Sequence, residues 1–348
     1  MVSRLNPSVV LPLELRSELK SHNHLTTLWS SFGTICRLNL KSNPRSLILK
    51  FIDPPVDTRS EGHLRKIISY RVERYFYEHL STRLPPHVKV AKNYPVEPAF
   101  GDTSLVLEDL SREYPLPVAR RTDLDEEQAK VVLRWIAGFH ATYWGKVDDI
   151  PDTPPPLQVQ DPLVTPGVWT NGGYWYLDTR SEEYAIVRDD PYYAFLDDAA
   201  VRTVADYLAD PTRPGRTLLH GDTKGANIMF SKDFKKCALY DFQYCGKGLG
   251  VVDLVYFLAT SVDGEVMQDE ECADELLETY YRELVEQVMR MGGSMGKYTA
   301  EIMMKDLDMA MVDWFRFQAG WGFWGNSWVS EAKVKEILKG LEGKNTSP

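Results

Sequence analysis

Apolar and polar positions change period several times along this chain, and each change predicts an element. Residues 12–20, PLELRSELK, predict a short amphipathic helix, and residues 25–40 alternate around a turn, as a β-hairpin does. Residues 46–52, SLILKFI, predict an apolar strand interrupted by one charge, Lys50. Over 64–80 the period lengthens: Ile68, Val72, Tyr75, Phe76 and His79 recur at helical spacing. Two strand candidates follow at 88–91 and 104–107, the second running into Glu108, Asp109 and Leu110. Residues 123–143 open on acidic side chains and carry apolar ones at 131, 132, 133, 135, 136 and 139, which predicts a buried helix. From 149 to 166 there are prolines at 151, 154, 155, 156, 162 and 166, which excludes a helix and predicts an extended loop. With residues 170–179, TNGGYWYLDT, that loop is a candidate roof over a binding site, or a surface excursion without function. A helix over 194–208 and a turn over 211–216 lead to LLHGDTKGANIMF at 218–230, a strand, a tight loop and a second strand. A further strand ends at Asp241, and helices are predicted over 251–262, 269–291 and 298–340.

Composition narrows the picture. The 348 residues, 43% of them hydrophobic, can bury a full core. A net charge of -10 argues against nucleic acid as a partner and is compatible with a cationic small molecule. The four cysteines form no CxxC pair and read as reduced thiols. No signal-peptide pattern and no apolar run of membrane-spanning length is present, so a soluble cytoplasmic protein without an obligate protein partner is expected. Asn345 begins a glycosylation sequon that reads as chance in a polar tail.

The chemistry lies in the 218–230 stretch. Asp222, Asn227 five residues later and Asp241 at the end of the next strand are what phosphoryl transfer from ATP needs. Its transition state spreads negative charge, so a protein supplies positioned Mg²⁺ and a group that accepts the hydroxyl proton. Magnesium takes oxygen ligands, few of them from protein, which suits Asn227 and Asp241. Asp222 suits the base, and Lys224 would direct its ammonium at the phosphoryl group.

These residues carry a resemblance. HGDTKGANIMF and LYDFQ resemble the catalytic loop and metal aspartate of the aminoglycoside phosphotransferase and choline kinase superfamily, most closely its CHK-like, ecdysteroid-kinase-like branch. The resemblance implies an α+β, protein-kinase-like fold in two lobes, 1–109 with a small antiparallel sheet and a helix, and 110–348 mainly helical. RVERYFYEHL is similar to the branch's ExxFY helix, which makes Glu73 the expected partner of Lys50 on the α and β phosphates, with Glu78 as a substitute. LVLEDL resembles the linker between lobes, where the backbone around Glu108 and Leu110 would meet the adenine. The hairpin at 25–40 would cover the phosphates through Ser30, Ser31 and Gly33, although an ordinary hairpin carries the same residues. Asp253 would brace the catalytic loop or help start its helix, and His140 reads as a satisfied core residue.

The implied activity is ATP- and Mg²⁺-dependent transfer to a hydroxyl of a small molecule. The chain enters a helix at Val251 with no long activation segment and no APE, which disfavours a protein acceptor, although Lys224 has the spacing of protein kinases. Trp314, Trp321 and Trp324 lie in an aromatic stretch broken by glycines, and tryptophan faces attract organic cations, so an amine-bearing alcohol leads. A sterol-like alcohol, an aminoglycoside or a specialised metabolite follows. A pseudokinase is the rival class, and the intact set Lys50, Asp222, Asn227 and Asp241 speaks against it.

Overall fold

The computed structural model describes residues 7–28, 31–42, 46–54, 60–100, 104–118, 124–159, 161 and 167–345, with side chains to 341. Ser30, Asp123, Pro162, Pro166 and the sequon's Thr346 and Ser347 lie outside the described residues. After helix α1 (Leu13–Glu18) come strands β1 (Leu19–Thr27), β2 (Gly33–Leu40) and β3 (Ser46–Ile52), so the first strand begins six residues earlier than the alternation from Leu25 predicts. The polar run Lys20 to His24 hid it: this edge strand is exposed on both faces, and nothing in its sequence alternates. Helix α2 (Glu61–Tyr75) starts at Ser60, whose hydroxyl accepts from the His63 N–H, and continues into a π-helical turn over Phe76–Leu80. Strands β4 (Asn93–Tyr94) and β5 (Leu105–Glu108) complete an antiparallel sheet of order β1-β2-β3-β5-β4. Residues 88–91 do not form the strand predicted for them; Lys89 makes one isolated bridge to Ala238.

The second lobe begins with β6 (Leu116–Pro117) and α3 (Glu126–Tyr143), the latter opened by a reciprocal capping box between Asp125 and Gln128. The described part of the proline-rich loop contributes β7 (Asp152–Thr153) and a single 3-10 turn over Pro156–Gln158, and is followed by β8 (Val168–Trp169), α4 (Ser181–Asp189), α5 (Asp198–Ala209) and β9 (Arg216–Leu219). Then come β10 (Ile228–Phe230), β11 (Cys237–Leu239), β12 (Gly246–Leu249), α6 (Val251–Ser261), α7 (Gly264–Gln268), α8 (Glu270–Arg290), α9 (Ala300–Trp321) and α10 (Glu331–Asn345). Strands β9 and β10 flank the HGDTKGAN loop but belong to different sheets, β7-β8-β12-β9 and β11-β10-β6. The loop is therefore anchored at both ends in separate layers.

The cores are divided unevenly. The outer face of the first sheet has its own small core of Val10, Leu11, Cys36, Leu38, Leu47, Leu49 and Val106. Helix α2, although it lies within 1–109, turns Ile68, Val72 and Phe76 into the large core that holds the helices of the second lobe. Phe76 stacks on Phe242 with ring centroids 3.7 Å apart.

Candidate active site

Pleating decides where Lys50 points. Leu47 and Leu49 face the small core, so Lys50 lies with Ile48 and Ile52 on the opposite face, toward α2. There its Nζ is 2.6 Å from Glu73 Oε2 and 2.9 Å from Asp241 Oδ1. Burial pulls the ammonium's pKa down, but Asp241 and Glu73 more than reverse this and hold it above the ordinary lysine range. Two carboxylates share one lysine, so one negative charge is in excess. Burial and the neighbouring Asp241 lift the Glu73 carboxyl, to about 7, against the pull of Lys50. Asp241 moves down instead, because Lys50 outweighs its desolvation.

The loop is held from beneath. Asp253, fully buried on α6, accepts from the His220 N–H at 2.7 Å and the Gly221 N–H at 2.8 Å, and from His140 Nε2 at 3.1 Å. Its carbonyl accepts from the Thr223 hydroxyl at 2.8 Å. Asp253 thus braces the loop, and His140 is the satisfied core residue expected, its other ring nitrogen bonded to the Tyr280 hydroxyl. His220 Nδ1 accepts from the Asp222 N–H and Nε2 donates to the Tyr240 carbonyl, the arrangement of a neutral imidazole, and burial keeps its pKa down. Gly221 has φ +79, and a Cβ there would sit 2.0 Å from the Tyr244 carbonyl, so only glycine fits.

On this base Asp222 is 2% exposed. Its two carboxylate oxygens accept from Lys224 Nζ at 3.0 and 2.8 Å, and Asn227 Nδ2 donates to its Oδ2 at 2.9 Å and to its carbonyl at 2.8 Å. Burial pulls Lys224 down, but the charge and hydrogen bonds of Asp222 together with the charge of Asp241 more than offset this and hold it above its ordinary range. The two bonds from Nδ2 leave the amide oxygen of Asn227 as its remaining polar atom. The Tyr240 N–H donates to the Asn227 carbonyl at 3.1 Å, which brings Asn227 beside Asp241. Asp241 itself has φ +71 and also accepts from Gln243 Nε2 at 2.7 Å. Two hard oxygen donors at adjoining strand ends suit magnesium, which keeps most of its shell as water and phosphate. Among the described residues no group of three or more His, Cys, Asp or Glu could hold a metal, so an all-carboxylate cage is not the alternative there.

Other expected residues fare differently. Ser31 is exposed with φ +61, and Gly33 has φ +145, where a Cβ would lie 2.0 Å from the Phe51 carbonyl. Packing of the hairpin against β3 is thus sufficient reason for Gly33. Glu108 spends its carboxylate on Lys89 at 2.9 Å and its N–H on the Lys92 carbonyl at 2.8 Å, while Leu110 is buried in the large core. Sequence reasoning passed over Asp109, which joins Arg37 at 2.8 Å and the Ser46 hydroxyl at 2.6 Å and caps the turn at Leu110–Arg112.

The aromatic expectation needs correcting. Trp314 is 0% exposed, with its ring 5.0 Å from Trp175, Tyr256 and Trp324, so it is core and closed to any substrate. Trp324 is partly buried against the same cluster, and Trp321 alone of the three is exposed, by half. The cage of rings does exist, but the chain's own cation fills it. The Arg180 guanidinium lies 4.0 Å from the Tyr174 ring, 5.1 Å from Phe317, 5.5 Å from Trp321 and 6.0 Å from Tyr244. The Tyr174 ring also faces Lys224 Nζ at 5.4 Å. Residues 170–179 are packed against the loop, with Trp175 buried and the Tyr174 N–H donating to the Gly221 carbonyl at 2.7 Å. Arg180 stands four residues after Tyr176, the last of the aromatic run, and that nearness was the available signal.

The sequence profile of the ecdysteroid kinase-like family matches residues 34–144 and 178–293. No curated protein sequence matches the chain. Among solved structures, a choline kinase from Cryptosporidium parvum is similar over 98% of this chain and 91% of its own, at 10% identity and a TM-score of 0.48. A macrolide 2'-phosphotransferase type I is similar over 94% and 93%, at 14% identity and a TM-score of 0.45. A Plasmodium vivax ethanolamine kinase is similar over 95% and 83%, at 11% identity and a TM-score of 0.43. With the profile covering both lobes and the catalytic loop, the chain belongs to the ecdysteroid kinase-like family.

Proposed function

We propose that this protein uses ATP and magnesium to phosphorylate a hydroxyl of a small organic molecule. The observation that carries the reading is the buried Asp222 carboxylate, clasped by Lys224 and Asn227 and set beside the Lys50–Glu73–Asp241 cluster. Asp222 takes the proton of the acceptor hydroxyl as its oxygen bonds the γ-phosphorus and the bond from phosphorus to the ADP oxygen breaks. Lys224 then leaves its pairing with Asp222 to meet the transferring phosphoryl group, and Lys50, oriented by Glu73, meets the α and β phosphates. Asn227 and Asp241 would hold magnesium, which when bound offsets phosphate charge. Ser31 and Gly33 over the phosphates, and the backbone at Glu108 and Leu110 beside the adenine, complete the nucleotide side. The lobes divide in this reading at 109 and 110.

For the acceptor, an uncharged, largely apolar alcohol, sterol-like or a specialised metabolite, is favoured over the amine-bearing alcohol. Arg180 occupies the ring faces an ammonium would need. Ile186 on α4 and Trp321 and Phe323 at the end of α9 are large apolar side chains left exposed. A cytoplasmic location fits the four unpaired cysteines, three of them buried, and no described helix is long and apolar enough to cross a membrane. The test is incubation with ATP and magnesium against sterols, aromatic alcohols, amino alcohols and aminoglycosides, reading product mass. One phosphate gained by an uncharged alcohol is expected; nucleotide binding without any product supports the pseudokinase.

A further inference from the structure

Helix α2 carries Glu73 near one end, and its other end is tied to the opposite lobe by buried charges that the phosphotransfer chemistry does not use. Glu61, 2% exposed, accepts from the Ser181 N–H at 3.3 Å, the Ser181 hydroxyl at 2.9 Å and the Glu182 N–H at 3.2 Å. These groups open α4, whose own N-cap residue, Arg180, makes no side-chain capping bond. Glu61 therefore caps a helix 120 residues away in sequence. One turn along, the Arg65 guanidinium donates to the Thr179 carbonyl and pairs with Glu183 at 3.5 Å. Glu183 also binds Arg180 at 3.1 Å, and Arg180 Nε donates to the Tyr174 carbonyl at 2.7 Å. Farther along α2, the Ser69 hydroxyl is 3.1 Å from the Gln243 amide oxygen, and Gln243 in turn binds Asp241.

We infer that α2 is a strut between the two halves of the site, and that Glu61 and Arg65 are positioning residues for the Lys50–Glu73 pair. The strut rests on the proposed placement of the acceptor beside Arg180 and α4. Twelve residues of helix separate Glu61 from Glu73, about 18 Å at 1.5 Å per residue. Ile68, Val72 and Phe76 pack in the large core, while Tyr70 packs with Phe32 and Ile52 on the sheet side, so the helix is wedged between α4 and the sheet and carries a shift of one to the other. A displacement at 179–183 is thereby delivered to Glu73 as a change in how Lys50 is held. Fixing the acceptor wall fixes the nucleotide lysine, and the converse follows by reciprocity.

Hydrogen exchange followed by mass spectrometry tests the strut without any ligand, on wild type, Glu61→Gln and, as a distant surface control, Glu301→Gln. Exchange in Glu61→Gln should quicken by about fivefold or more both at 179–186 and at 68–75, with the control unchanged. Faster exchange at 179–186 alone overturns the inference. Should Glu61→Gln loosen every segment, Ser181→Ala removes only the hydroxyl bond, and the same paired pattern must appear at smaller amplitude. Calorimetric titration with ADP and magnesium adds a second readout: Glu61→Gln should weaken binding about fivefold, yet leave it unchanged in a Glu73→Gln background. Independent, additive losses contradict action through Glu73. If wild type binds no ADP, the nucleotide reading fails, while the exchange result still decides the strut.

Discussion

Asp222 and Arg180 are both buried and both paired with an opposite charge, yet they are built into the molecule in different ways. Lys224 and Asn227, which clasp Asp222, lie within five residues of it on one loop, and helix α6 fixes that loop from below through Asp253 and Ser261. The cage of Arg180 draws Tyr174, Tyr244, Phe317 and Trp321 from segments spread over nearly 150 residues, and none of them is polar enough to announce itself. Chemistry that depends on residue type at short spacing can be read along a chain. A recognition surface that depends on which rings meet in space cannot.

The sharpest way to break this contrast is at Asp241. Replacing it by alanine removes an expected metal oxygen and one of the two carboxylates on Lys50, and turnover should fall by about 10²- to 10³-fold or more, without recovery at high magnesium. Steady-state assays across magnesium concentrations check this. Glu73→Gln keeps the shape and removes the charge, so kcat/KM for ATP should fall by about 10- to 100-fold, the scale of a hydrogen bond to a charged group. It should also change the pH dependence of stability. Between the ordinary 4.5 and about 7 the native state keeps a proton on Glu73 that the unfolded chain has released, so this group makes stability decline as pH rises through that window. Denaturant titrations should show a flatter slope there in Glu73→Gln.

On the acceptor side, Arg180→Met combined with Glu183→Gln empties the cage without leaving a buried carboxylate. Selectivity between choline and its uncharged isostere 3,3-dimethylbutanol should then move by about tenfold toward choline, in line with a desolvated cation over aromatic faces. An unmoved ratio would remove Arg180 from the acceptor wall. Smallest is the effect of Trp321→Ala, a few-fold rise in acceptor KM with little change in melting temperature, since the ring is half exposed. Trp314→Ala, by contrast, should cost about 3–5 kcal/mol of stability, because it empties a core position.

The same contrast explains what could be read in advance. Strands β2, β3 and β5, the buried helix at 126–143 and the HGDTKGAN loop follow from period and turn chemistry, each a local signal, whereas their assembly into an antiparallel sheet is what the resemblance implies. The pairing of Lys50 with Glu73 across 23 residues was reached through resemblance, since a lysine in an apolar strand does not by itself say which way it points. Edge strand β1 escaped because an exposed strand need not alternate, and 88–91 was overcalled because four apolar-rich residues can be buried without a ladder. Asp109 and Glu61 were passed over for a common reason. Each stands at the end of an element, where nothing local marks its partner, and those partners, Arg37 and Ser181, lie 72 and 120 residues away.

In the proposed reaction Asp222 is the group that receives the acceptor proton. Once an acceptor is in hand, single-turnover transfer should be measured for wild type and Asp222→Asn, together with the affinity of each for ADP and magnesium. The prediction is transfer slowed about 10²- to 10⁴-fold with nucleotide affinity within a few-fold of wild type. Transfer by Asp222→Asn at close to the wild-type rate would contradict it.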